Sequence, residues 1–205
     1  MTSFSAILIA SGESRRMGGG NKLLLELGGE ALVRRCARML LAAELCEIVI
    51  VTGHEADLVT PQLAGLPLRI VRNGAYRNGQ MSSVHTGFLA LSVPSAGVIV
   101  ALADQPLLGV EDMHALMAAF AERSRGSFLV PTWHGARGNP VIVDWAQRQA
   151  ILAGGANLGC RKLIERHPER AVSWEAANDH VVVDLDSPED YARLRARIAT
   201  LCPAA

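Results

Sequence analysis

The run ILIASGESRRMGGGNK, from Ile7 to Lys22, leaves an apolar segment through small residues, two arginines, three consecutive glycines and a lysine. Glycine has no Cβ, so backbone N–H groups in such a loop can converge on an anion. Arg16 and Lys22 add the charge that several phosphates demand. A solvated, flexible loop is the competing reading of the same residues. Two familiar phosphate loops do not fit. Five residues separate Gly12 from Gly18, and Leu23 rather than Ser or Thr follows Lys22, so the Walker pattern fails. The G-x-G-x-x-G spacing of dinucleotide sites is also absent.

Three carboxylates complete the set. Asp104 directly follows the apolar run 98–103. At the mouth of a buried strand a carboxylate packs poorly but suits a cation; a turn or capping aspartate ahead of Pro106 is the alternative. Asp184 and Asp186 follow the apolar run 181–183. Only one of the two is expected to face a site there. Asp184 is preferred for a metal, leaving Asp186 to support the last helix. No Ser-His-Asp order, HExxH motif or paired metal histidines occur, and the six histidines are scattered. That pattern fits phosphoryl-type transfer, where positioning and charge neutralisation do most of the catalysis.

The elements that must position these residues are short. Apolar runs at 6–10, 48–51, 68–71, 98–103, 128–130, 141–143 and 181–183 are rich in β-branched residues and do not alternate with polar ones. Such runs predict strands covered on both faces, as in a parallel sheet. Leu32, Val33, Cys36, Met39, Leu40 and Ala43 recur at helical spacing, as do Met113, Leu116, Met117 and Phe120 after Glu111-Asp112. Ser187-Pro188-Glu189-Asp190 predicts the start of the last helix: a capping hydroxyl, a proline at the first position and acids in the first turn. Alternating strands and helices mean α/β with right-handed crossovers. Residues 124–143 weaken that alternation, so part of the sheet is expected to be antiparallel. The chain is expected to be a single domain over 1–205. In such a sheet ligands collect beyond the carboxyl ends of the strands, where the 11–22 loop lies.

Composition narrows the partners. Lysine plus arginine number 20 and aspartate plus glutamate 20, so the chain carries no net charge. Broad electrostatic binding to nucleic acid or an anionic membrane is not expected. Cys36, Cys46, Cys160 and Cys202 form no CxxC pair and read as reduced thiols. The apolar start lacks a basic leader and is too short to span a membrane, so a cytoplasmic location is expected.

Ala10-Ser11-Gly12-x-Ser14-x-Arg16-Met17-Gly18, closing at Lys22, resembles the LAAGxSxRMG…K signature of the MobA-like nucleotidyltransferases. Within them it is most similar to the molybdenum cofactor cytidylyltransferases. The resemblance continues through Asn73 to Gly87, LADQP at 102–106, GARGNP at 135–140 and DLDSPED at 184–190. It implies a Rossmann-like three-layer sandwich with a mostly parallel sheet, like the nucleotide-diphospho-sugar transferases. It implies that Ala10, Ser11, Gly12, Arg16, Gly18, Lys22, Asn73, Ser82, Ser83 and Asp104 bind the nucleotide. It further implies Mg²⁺ on Asp104 with Asp184 or Asp186, and catalytic roles for Arg16, Lys22 and Asp104. Arg137, Asn139 and Arg161 would meet the acceptor.

The implied reaction joins CTP to molybdopterin, whose terminal phosphate attacks the α-phosphorus in line and expels pyrophosphate. A phosphate monoester, with a second pKa of about 6, is largely deprotonated at neutral pH and needs no general base. Ser11 stands where guanylyl enzymes have a glycine, which favours a pyrimidine. Ser82 or Ser83 reads as a helix cap, although Gln80 is one residue more than the family segment has before Met81. Asn157 and Cys160 depart from the family's GDxGAR, and Asn157 reads as a helix cap. Three alternatives stay open: GTP as donor, a sugar phosphate as acceptor, or a non-catalytic cofactor carrier. A molybdenum hydroxylase apoenzyme is the implied protein partner.

Overall fold

The computed structural model describes residues 3–154 and 160–201. β1 (Phe4–Ala10) leads through the long loop to a small ribbon, β2 (Glu26–Leu27) and β3 (Glu30–Ala31), then to α1 (Leu32–Ala42). β4 (Glu47–Thr52), α2 (Ala56–Val59), β5 (Arg69–Arg72) and α3 (Gln80–Ala90) follow. β6 (Gly97–Leu102) and α4 (Val110–Glu122) precede β7 (Phe128–Trp133), β8 (Ala136–Arg137) and β9 (Val141–Asp144). The chain closes with α5 (Arg148–Ala153), α6 (Cys160–Arg166), β10 (Ala171–Glu175) and α7 (Pro188–Leu201).

The main sheet runs β10-β7-β9-β6-β1-β4-β5, with β8 paired to β7. β1 lies parallel between β4 and β6, and β4 is parallel to β5. β9 runs antiparallel to β6 and β7, while β10 is parallel to β7. The reversal falls inside 124–143, where β–α alternation weakens in the sequence.

All of β1 is buried because helices cover both sheet faces. Its side chains alternate between the two cores. Ala6, Leu8 and Ala10 meet Cys36 and Leu40 of α1, Met113 and Leu116 of α4, and Leu194 and Ile198 of α7. Ile7 and Ile9 meet Val84 and Phe88 of α3, Ile151 of α5 and Ile164 of α6. This is the expected three-layer α/β fold. α3 sits unusually close to β1, since a Cβ on Gly87 would lie 2.4 Å from Ile7 Cγ2. No helix among the described residues is long and apolar enough to cross a membrane.

Three sequence expectations need correction. Residues 181–183 form no strand: a 3₁₀ turn covers Asp179–Val182. The Val181 carbonyl accepts from the Gln105 side chain at 3.0 Å and the Asn139 N–H at 2.8 Å, so a side chain and a loop take up the acceptor that a ladder would use. The outer strand is β10, whose half-exposed AVSWE has too little apolar content to stand out. Ser82 and Ser83 do not cap α3, which starts earlier, after Gly79 at φ 92°. Asp186 does not cap α7 either. Ser187 Oγ accepts from the Asp190 N–H at 3.2 Å, and the Asp190 carboxylate accepts from the Ser187 N–H at 3.0 Å. The proposed cap Asn157 lies outside the described residues.

Candidate active site

β1 and β6 are parallel neighbours, so the segments that follow them emerge at the same sheet edge. Between them opens a cleft of about 410 Å³, walled by Ser11, Gly12, Arg16, Lys22, Asp104 and Asp186, with Tyr76 and Gln80 opposite. The loop folds back by local turns. Ser14 sits at φ 52°, Arg15–Met17 make one 3₁₀ turn, and Gly18 ends it at φ 69°. A second 3₁₀ turn, Lys22–Leu24, is capped by the Asn21 side chain, which accepts from the Leu23 N–H at 3.1 Å. The Lys22 N–H donates to Ser14 Oγ at 3.1 Å and closes the loop.

This turn buries Lys22 to 8 % exposure. Its ammonium donates to Asp104 Oδ2 at 2.6 Å and to Asp186 Oδ1 at 2.8 Å. Arg16 Nη2 donates to Asp186 Oδ2 at 2.6 Å from a largely exposed side chain. Burial alone would favour neutral lysine, but Asp104 and Asp186 outweigh it and hold the Lys22 pKa above the ordinary lysine value.

Asp184 stands behind this trio. Burial, reinforced by the charges of Asp104 and Asp186, pushes its carboxyl up to about 6, with Lys22 and Gln105 partly offsetting the rise. Only one of the pair faces the cleft, but strand alternation is not the reason, since residues two apart share one face of a strand; the two part because this segment is not a strand. A bond from the Leu185 N–H to the Asp104 carbonyl, 2.8 Å, instead ties the segment beside Asp104. Asp186 lines the cleft, while the preferred Asp184 does not.

The donors suit a hard divalent cation. Asp104 Oδ1 and Asp184 Oδ1 are buried without a hydrogen-bond partner, and the Lys22 ammonium already stands among the carboxylates as a positive charge. Among the described residues no three His, Cys, Asp or Glu side chains form a complete metal cage.

Other expected site residues lie away from the cleft wall. Ala10 is the buried end of β1, and Gly18 terminates the loop turn. Asn73, Ser82 and Ser83 are buried in a polar network behind the loop. Asn73 Nδ2 donates to Ser82 Oγ at 2.8 Å and to Ser83 Oγ at 2.9 Å, and Ser83 Oγ is 2.7 Å from Ser11 Oγ. The Ser11 hydroxyl is thus engaged with α3, which removes it from the role of crowding a base.

Arg137 and Asn139 line a second cavity, of about 340 Å³, with Met81, Val84, Val100 and Val141. Gln80 and Leu102 wall both cavities and make them contiguous. A Cβ on Gly138 would lie 2.4 Å from the Val181 carbonyl oxygen, so glycine lets this loop dock on the segment leading to Asp184. Arg161 belongs to the first turn of α6, and its side chain lies outside the described residues.

Sequence reasoning missed Tyr76, Gln80 and Gln105. Gln105 had a signal, a second polar residue directly after Asp104 in a 98–108 stretch that is apolar apart from these two, and it is 1 % exposed between Asp104 and the 181–185 segment. Tyr76 had none, because its place depends on Gly53: a Cβ there would lie 2.7 Å from both Ser11 Cβ and Tyr76 Cβ.

Residues 6–171 match the MobA-like NTP transferase domain. The chain is 28 % identical over 195 residues to nicotine blue oxidoreductase of Paenarthrobacter nicotinovorans, covering 93 % of this chain and 95 % of that protein. It is 28 % identical over 202 residues to the purine catabolism protein PucB of Bacillus subtilis, covering 92 % and 94 %. A probable molybdenum cofactor guanylyltransferase of Natronomonas pharaonis is 23 % identical over 210 residues, covering 95 % and 98 %. A nucleotidyl transferase from Methanothermobacter thermautotroptrophicus has the same fold, with TM-score 0.80, 23 % identity and coverage of 98 % and 99 %. The relatives' names describe different chemistries, so what the match shares is the domain. The chain belongs to the MobA-like NTP transferase family, and with it to the nucleotidyltransferases.

Proposed function

We propose that this protein transfers CMP from CTP to the terminal phosphate of molybdopterin, releasing pyrophosphate. The observation that carries the reading is the Lys22–Asp104–Asp186 cluster beside a glycine-rich loop at the mouth of β1 and β6. Gly12 and the backbone around it, with Arg16 and Lys22, bind the triphosphate. Asp104, with Asp186 or Asp184, holds Mg²⁺, which when bound neutralises charge on the phosphates. Arg16 and Lys22 stabilise the negative charge that builds on the departing pyrophosphate. Lys22 stays protonated throughout, since its pKa is raised, and acts as a fixed charge. The acceptor lies in the second cavity, with its ring against Met81, Val84 and Val141 and its phosphate directed by Arg137 and Asn139 towards the shared wall at Gln80 and Leu102.

A second reading keeps the chemistry and changes the donor to GTP. It is favoured by the likeness to a protein named as a guanylyltransferase. CTP rests on the likeness of the 10–22 loop to the cytidylyltransferase signature; the Ser11 hydroxyl, held by Ser83, adds nothing to that choice. The deciding experiment supplies purified molybdopterin, Mg²⁺ and each of CTP, GTP, ATP and UTP, and reads pyrophosphate. Release with CTP alone supports the proposal; release with GTP alone transfers it to the second reading. Pyrophosphate only when a sugar phosphate replaces molybdopterin would move the acceptor, and none with any pair would remove the reading.

A further inference from the structure

The Lys22 ammonium bridges the two carboxylates of the cleft. It lies 2.6 Å from one oxygen of Asp104 and 2.8 Å from one oxygen of Asp186. The other Asp186 oxygen is held by Arg16 at 2.6 Å. Of the four oxygens on these two aspartates only Asp104 Oδ1 has no hydrogen-bond partner, and it is buried. Behind them Asp184 Oδ1 is buried and unpartnered as well. The 11 % exposure of the lysine side chain leaves little room for an ammonium and a metal ion side by side, and their like charges would repel strongly at that distance.

We propose that Lys22 occupies the cation position of this cleft and yields it only to a triphosphate, so that metal uptake is coupled to nucleotide. This inference rests on the reading of the cleft as a metal–nucleotide site. A triphosphate is a stronger partner than two carboxylates for Lys22 and Arg16 together. As it draws both away, it uncovers Asp104 Oδ2 and both oxygens of Asp186. The coupling is reciprocal: whatever the triphosphate gains from the metal, the metal gains from the triphosphate. One consequence runs against the usual effect of deleting a site residue. Removing the ammonium should improve metal binding when no nucleotide is present, even as it weakens triphosphate binding.

The test is Mn²⁺ binding to the full chain, followed by the electron paramagnetic resonance of free Mn²⁺. In the unaltered protein the Mn²⁺ dissociation constant without nucleotide should be at least tenfold weaker than with saturating CTP, after correction for the Mn²⁺–CTP complex. Lys22→Met keeps the apolar stem and removes the charge. Its nucleotide-independent Mn²⁺ affinity should exceed that of the unaltered protein at least tenfold, and adding Asp104→Asn should abolish the gain. Should Lys22→Met fail to fold by circular dichroism, Lys22→Gln, which keeps a polar head without the charge, takes its place in the same comparison. Equal Mn²⁺ affinity with and without CTP, or in Lys22→Met and the unaltered protein, overturns the coupling and leaves the site reading standing. Absence of Mn²⁺ binding in every protein, with CTP present, overturns the site reading and the coupling with it.

Discussion

Ser11 Oγ lies 2.7 Å from Ser83 Oγ, and this one contact fastens the loop after β1 to the first turn of α3. Asn73 anchors the pair from the end of β5, and its Oδ1 accepts from the Ala75 N–H at 2.9 Å. Every member is buried, so deleting one leaves polar groups without water or partner. Ser83→Ala should cost about 1–3 kcal/mol of stability, read by urea unfolding, because the Ser11 hydroxyl loses its partner and the Asn73 amide loses one of two acceptors. A change below about 0.5 kcal/mol would show that the network does not hold the loop.

Asp184 gives a pH signature. Its carboxyl is raised from 3.8 to about 6 in the folded chain, so folding favours the protonated form. The stability this group contributes is fully present below the unfolded value and lost as pH rises through the folded one. Asp184→Asn removes that loss. In EDTA the variant should melt higher than the unaltered protein at pH 7.5, with the gap opening between about pH 4 and 6 and staying level above. A gap that does not change with pH would contradict the buried, repelled state of this carboxyl.

Arg16 separates binding from folding. Its side chain is 73 % exposed, and exposed ion pairs contribute only about 0–1 kcal/mol. Arg16→Ala should therefore leave the melting temperature almost unchanged. Its affinity for CTP with Mg²⁺, measured calorimetrically, should fall roughly tenfold to a hundredfold, the worth of a charge-assisted hydrogen bond. Unaltered affinity would place Arg16 outside the triphosphate site.

Much of this was legible in the chain because burial on both sheet faces writes unbroken apolar runs. β1, β4, β6, β7 and β9 all announce themselves that way, and α7 through its Ser187–Asp190 cap. Arg16, Lys22 and Asp104 were legible as a set because charge at the carboxyl ends of neighbouring strands has few other uses. What failed did so for tertiary reasons. The 181–183 run is as apolar as any strand, yet its backbone is claimed by Gln105 and Asn139, which lie far away in sequence. Asp184 and Asp186 therefore follow the path of a loop rather than the period of a strand. Ser82 and Ser83 carry the residue type of helix caps, but Gly79 starts the helix before them and frees their hydroxyls for Asn73 and Ser11.

The most direct measurement is pyrophosphate release from CTP in the presence of molybdopterin and Mg²⁺, by the unaltered protein and by Asp104→Asn. The asparagine keeps the shape of the side chain but removes the charge that faces Lys22 at 2.6 Å. The unaltered protein should release one pyrophosphate per CTP consumed, and the folded variant should be slower by about 10²–10³-fold. Equal rates in the two proteins would contradict the role given to the cleft beside β1 and β6.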